Sequence, residues 1–68
     1  MIEFELSGEH IPLIGLLKAV NLVSSGGEAQ MAVSSGEVLY NGQVDTRKRL
    51  KVKRGDRVEF MGETILIK

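Results

Sequence analysis

The dipeptide Asn41-Gly42 constrains the fold of this chain more than any other two residues. A type I′ turn needs positive φ at both central positions, and Asn-Gly meets that need at low steric cost, so the flanking residues are expected to pair as a hairpin. Val38 to Tyr40 and Gln43 to Asp45 are its short arms. Downstream, Leu50 and Val52 alternate with Arg49, Lys51 and Lys53, which predicts a strand with one apolar and one cationic face. Gly55-Asp56 turns the chain, Val58 and Phe60 point inward, Gly62 turns it again, and Thr64 to Ile67 form a last strand.

The N-terminal half reads differently. Ile2, Phe4 and Leu6 alternate with Glu3 and Glu5, the two-residue period of a half-buried strand. Pro12 suits the first turn of a helix, where its missing N–H is harmless. Leu13, Leu17 and Val20 follow at helical spacing, with Ile14 and Leu16 widening the stripe, so residues 12–22 are expected to form an amphipathic helix. Ser25 and Glu28 have the spacing of a capping box, in which Glu28 reaches back to the Ser25 N–H. The helix they open, over residues 26–35, would bury Ala29, Ala32 and Val33 and stop at Gly36. The expected fold is α+β: an N-terminal strand, two packed helices, then a small, mostly antiparallel sheet of short strands.

Sixty-eight residues are expected to form one small domain. A chain of that length buries only about 60% of its unfolded surface, so the core must be thin. With no Cys, neither disulfides nor thiolate metal sites can staple it. No apolar run approaches the roughly 18 residues of a membrane span, and Met1 to Glu5 lack the basic start and apolar stretch of a signal peptide. A cytoplasmic, monomeric protein is expected, with no membrane partner.

A net charge of zero conceals a strong asymmetry. Residues 1–46 carry one Lys against six acids, a balance of −5, and residues 58–68 carry one Lys against two acids, a balance of −1. Between them Arg47, Lys48, Arg49, Lys51, Lys53, Arg54 and Arg57 oppose Asp56 alone, a balance of +6. Exposed charges act over roughly 8–10 Å at physiological salt, so such a segment can hold a polyanion even on a neutral protein. The plainer reading is a solvated face, or lysines that blunt a strand edge. Alternation favours a binding role: in an extended chain Arg47, Arg49, Lys51 and Lys53 share one side while Leu50 and Val52 enter the core. Their spacing, roughly 6.6 Å from the 3.3 Å strand rise, is close to that of phosphates along a nucleic acid.

The pieces together resemble the S-four-like RNA-binding domain, the alpha-L motif. Its pattern is a helix, a short turn, a second helix ending in Gly, a hydrophobic-Asn-Gly hairpin and a Gly-Asp turn into a strand. Here these are Leu13 to Leu22, Ser24 to Glu28, Ala29 to Gly36, Val38-Leu39-Tyr40-Asn41-Gly42 and Gly55-Asp56-Arg57-Val58, about residues 11–60. The likeness is greatest to a small stand-alone bacterial branch, through Ser25-Gly26-Gly27-Glu28-Ala29, Asn41-Gly42 and Asp45-Thr46-Arg47-Lys48-Arg49. The family often carries basic residues at both helix starts. This chain has Pro12, Leu13, Gly26 and Gly27 there, so those contacts do not transfer.

The resemblance implies a non-catalytic module for structured RNA, ribosomal, transfer or precursor, and possible company with ribosomal or RNA-processing proteins. Contacts would be mainly to phosphates, recognising shape. Five or six of them would give log K a slope of about −4 to −5 against log salt. An alternative is a protein-interaction module whose basic face docks an acidic partner. Tyr40 either stacks on an unpaired base or packs on the core rim. Lys18 either adds a flanking contact or is solvated, and Gly26-Gly27 either receives a phosphate or only opens the helix. His10, the one His, reads as a surface or capping residue. No nucleophile, base and acid can be assembled into a catalytic set, and no metal-ligand spacing is present, so neither enzymatic activity nor a cofactor is expected.

Overall fold

A computed structural model describes residues 1–68. The elements run β1 (Ile2–Phe4), β2 (Ile11–Pro12), α1 (Leu13–Ala19), α2 (Gly26–Ser34), β3 (Leu39–Tyr40), β4 (Gln43–Val44), β5 (Lys51–Val52), β6 (Arg57–Phe60) and β7 (Glu63–Ile67). Five strands form one sheet in the order β1-β7-β6-β3-β4, while β2 and β5 make a separate two-stranded ribbon. Every pairing is antiparallel except β1 with β7. This is the α+β arrangement expected from the sequence.

Both helices end through the same device. After α1, Asn21 takes φ 61°, the Asn21 N–H donates to the Lys18 carbonyl, and the Leu22 N–H donates to that of Leu17. After α2, Gly36 takes φ 78°, and the Gly36 and Glu37 N–H groups donate to Val33 and Ala32. These are Schellman closures, which satisfy the last carbonyls and turn the chain sharply. The Gly36 stop was expected. Asn21 ends α1 at Ala19, three residues short of the helix expected through residue 22, because Asn tolerates the left-handed conformation that most residues avoid. Pro12 also differs from expectation. It is extended, at φ −61° and ψ 144°, and caps α1 from outside while pairing in β2.

The Ser25 side chain accepts from the Glu28 N–H at 3.1 Å, as a capping box requires. Glu28 reaches one residue further back than expected and accepts from the Ser24 N–H.

One cluster of 14 buried residues, all apolar, unites the elements. Leu13, Leu16 and Leu17 come from α1, Ala29, Ala32 and Val33 from α2, and Val58, Phe60, Ile65 and Ile67 from β6 and β7. Leu6, Val23, Val38 and Val52 close it from the connecting segments and β5. Burying a Leu or Val side chain is worth about 1.5–3 kcal/mol, so this cluster is the main favourable term. No helix is long and apolar enough to cross a membrane.

Candidate functional site

The Asn-Gly and Gly-Asp turns, fourteen positions apart in the chain, meet in one corner. Asn41 and Gly42 stand at φ 51° and 89°, the type I′ pattern, and set Tyr40 opposite Gln43. The Asn41 N–H donates to the Arg57 carbonyl at 2.7 Å, and the Arg57 N–H donates to Asn41 Oδ1 at 2.8 Å. Asp56 is the hub. It accepts from the Tyr40 hydroxyl at 2.5 Å, the Lys53 N–H at 2.8 Å and Asn41 Nδ2 at 3.3 Å. Partial burial alone would raise the Asp56 carboxyl, but these donors outweigh it and hold it below the usual carboxylate range. The same bond to Asp56, helped by burial, pushes the Tyr40 hydroxyl up to about 12.

The seven clustered bases divide into two groups. Arg47 forms a bidentate fork on Asp45, with Nε to Oδ1 at 3.0 Å and Nη2 to Oδ2 at 2.7 Å. The bond from Arg47 keeps the Asp45 carboxyl low. Arg54 donates through Nη2 to the Leu6 carbonyl at 2.9 Å and ties the Gly55 turn to the N-terminal strand. Arg57 lies 3.4 Å from Glu59. Each of these three guanidinium groups has a partner within the protein: hydrogen bonds hold Arg47 and Arg54, and a surface ion pair engages Arg57. Lys48, Arg49, Lys51 and Lys53 make no ion pair, and neither does Lys18.

The extended cationic row expected from alternation is not formed. Only Lys51 and Val52 join a ladder, opposite Pro12 and Ile11. Lys48 and Arg49 lie in a turn, closed by the Leu50 N–H donating to the Arg47 carbonyl at 3.3 Å. The reason is the partner strand. β2 is two residues long, and Pro12 has no N–H with which to continue the ladder. The Leu13 N–H supplies the last bond, to the Leu50 carbonyl at 2.9 Å, before α1 begins.

The turn wraps the bases around open hollows instead. One, of about 530 Å³, is lined by Tyr40, Arg47, Arg49, Leu50, Lys51 and Lys53. A second, of about 470 Å³, brings Arg49 and Lys51 beside Lys18, His10, Gly15 and Gly26. A third, of about 540 Å³, joins Arg49 to Lys48, Thr46 and Gln30. Arg49 borders all three. Lys18 is thus brought to the basic turn, whereas Arg54 is directed to Leu6 and Arg57 to Glu59. Tyr40 keeps a face on the first hollow, but its hydroxyl belongs to the Asp56 corner. The sequence pattern marks Asp56 only as a turn residue and gives no sign of Gly15 at the site. The signal for Asp56 was present, since a carboxylate beside a Gly turn is a natural acceptor for free N–H groups. No three His, Cys, Asp or Glu side chains gather where they could hold a metal ion.

A sequence model for the S4 domain matches residues 4–68. The YbcJ protein of Escherichia coli is 38% identical over 58 residues, which span 85% of this chain and 83% of YbcJ. A Bacillus subtilis protein named probable ribosome maturation protein RlbA is 41% identical over 54 residues, 79% of this chain and 76% of RlbA. The solution structure of Escherichia coli YbcJ, described as revealing an alpha-L motif involved in RNA-binding, superposes with a TM-score of 0.75 at 37% identity. It covers 98% of this chain and 86% of YbcJ.

Proposed function

This chain belongs to the S4 domain family, and from that premise we propose that it binds structured RNA, without catalysis, through the unpaired bases around Arg49. The observation that carries the reading is the separation of charge. On a chain of zero net charge, Lys18, Lys48, Arg49, Lys51 and Lys53 lack ion pairs and line connected hollows. The likeness to YbcJ supports RNA as the polyanion, and the name of RlbA supports ribosomal RNA or its precursors as the target. All 68 residues act as one binding unit, in the cytoplasm.

Recognition is of shape and phosphate position. Arg49 can grip a phosphate with two parallel N–H donors, while the lysines act as point charges around it. The arrangement is a curved basket rather than a straight row, which suits a folded stem or a bend better than an extended strand. Arg47 keeps part of its fork on Asp45 and is a secondary contact; Arg54 supports the fold, and Arg57 is turned toward Glu59. Tyr40 offers only its ring face to a nucleotide. Four or five phosphate contacts would give a slope of about −3 to −4.5 for log K against log salt.

The test is a titration of a fluorescent RNA stem-loop. Arg49→Ala with Lys51→Ala should weaken binding at least tenfold at constant salt, with the thermal transition unchanged. Wild-type affinity in that double variant would refute the proposal, as would failure of the wild-type protein to bind any structured RNA at low salt.

A further inference from the structure

Two adjoining hollows away from the basic turn have the opposite character. One, of about 340 Å³, is walled by Leu22, Val23, Met31, Phe60 and Met61 and edged by Glu28 and Glu37. The other, of about 250 Å³, shares Glu37, Phe60 and Met61 and adds Glu59 and Glu63. No Lys, Arg or His lines either one. Met31 and Met61 are each 72% exposed, and with Leu22, Val23 and Phe60 they line one apolar hollow rather than standing singly.

Met61 carries a second oddity. Met61-Gly62 turns the β6–β7 hairpin at φ 53° and 76°, nearly repeating Asn41-Gly42 at 51° and 89°. At the first of these positions Asn, Asp or Gly is favoured, because an ordinary side chain is strained at positive φ. Asn41 also makes hydrogen bonds that justify its place. Met61 is strained and apolar, and it projects into solvent. Neither the turn nor the core needs a methionine there, so its use lies outside the fold.

We propose that this face docks a basic segment of a second protein, in which apolar side chains seat between Met31 and Met61 while Lys or Arg residues meet the surrounding glutamates. Charge complementarity selects that occupant. Four carboxylates edge an apolar floor; Glu28 is engaged by the Ser24 cap, whereas the Glu37 carboxylate has no partner at all. Glu59 and Glu63 hold only surface pairs, to Arg57 and to the chain's amino terminus, which exchange at little cost. RNA is repelled by the same carboxylates. Thioether side chains are flexible and polarisable, which fits them to grip apolar anchors of varied shape. RNA bound at the basic turn and a basic protein segment bound here would occupy separate surfaces.

The probe is a short amphipathic Leu/Lys peptide, added to the full chain labelled with carbon-13 at its three methionine methyls. The Met31 and Met61 resonances should shift on titration, that of Met1 should move only as its amino group leaves Glu63, and a Leu/Glu peptide should leave all three in place. Met61→Asn should raise the melting temperature, weaken the Leu/Lys peptide at least tenfold and leave RNA affinity unchanged, which separates this proposal from the RNA reading. Unmoved Met31 and Met61 signals, or full peptide affinity in Met61→Asn, would overturn it. So would a concentration-dependent shift of both signals without peptide, which would assign the face to a second copy, or a shift of both on adding an RNA stem-loop.

Discussion

The Asp56 corner and the Arg49 hollows come from the same stretch of chain, and they use polar groups in opposite ways. In the corner, Tyr40, Asn41, Asp56 and the backbone of Lys53 and Arg57 hydrogen-bond one another. At the hollows, Arg49, Lys51, Lys53 and Lys48 form no salt bridge within the protein. A hydrogen-bonded carboxylate stabilises the fold and has little capacity left for a ligand. An exposed unpaired base contributes almost nothing to the fold and keeps its charge available. On the proposed function, the difference separates stability from binding within about fifteen residues, and charge counted in a sequence is not charge available on a surface.

The strongest way to break this comparison is to remove the two groups of bases separately. Alanine at Lys48, Arg49, Lys51 and Lys53 together should weaken RNA binding by about a hundredfold or more, at about 0.7 kcal/mol or more per lost phosphate contact. Thermal stability should hold. Arg47→Ala, Arg54→Ala and Arg57→Ala together should instead lower the melting temperature and cost RNA affinity much less. A reversed pattern in calorimetry and binding isotherms would show that the division is wrong.

A smaller effect is expected at the hub. Asp56→Ala strands donors from Tyr40, Lys53 and Asn41, and should destabilise the protein by about 2–3 kcal/mol in urea unfolding, since hydrogen bonds to a charged group are the stronger kind. The folded variant should bind RNA as before.

The corner also sets the pH response. The Asp56 and Asp45 carboxyls lie below their usual values, so the stability they contribute is present above their unfolded pKa, about 3.9, and is lost as pH falls through the lower folded values. Tyr40 has the opposite sense. Its folded value is raised to about 12, so its contribution is complete below about pH 10 and is lost between pH 10 and 12. Tyr40 is the one tyrosine in the chain, and ultraviolet absorbance of tyrosinate therefore reports on it alone. Asp56→Asn should bring that midpoint back toward 10. An unchanged midpoint would show that the carboxylate does not hold the hydroxyl.

The smallest effect sharpens the comparison at the hollow. Gly15 lies inside α1, where its backbone has no need of glycine, and a methyl group there would meet Ile11 at 3.6 Å, an ordinary contact. Gly15→Ala should therefore stabilise the protein, by about 0.5–1 kcal/mol. Because Gly15 lines the hollow with Lys18, Arg49 and Lys51, the same methyl should weaken RNA binding by a few-fold. A rise in stability with no loss of affinity would remove Gly15 from the interface.

Local signals with one geometric solution were legible in the sequence. Asn41-Gly42, the Ser25 cap, the Gly36 stop and the alternation of Ile2, Phe4 and Leu6 each specify a backbone conformation without reference to distant residues. The misreadings arose where a distant partner decides. The strand expected through Arg49 to Lys53 shrank to two residues because its neighbour is Ile11-Pro12 and the ladder ends there. Whether Arg47, Arg54 and Arg57 face solvent or a partner depends on Asp45, the Leu6 carbonyl and Glu59, and for Arg54 that partner is 48 positions away. Charge composition located the basic segment but could not divide it, and helical periodicity placed Lys18 on α1 without showing that α1 brings it beside Arg49.

The division between free and committed bases is tested most directly by the salt dependence of RNA binding. Log K for a structured RNA should fall against log salt with a slope of about −3 to −4.5 in the wild-type protein. The slope should become shallower by about 3 units when Lys48, Arg49, Lys51 and Lys53 are replaced with Ala, and change by less than about 1 unit when Arg54 and Arg57 are replaced. Equal changes from the two sets, or a larger change from Arg54 and Arg57, would contradict the account.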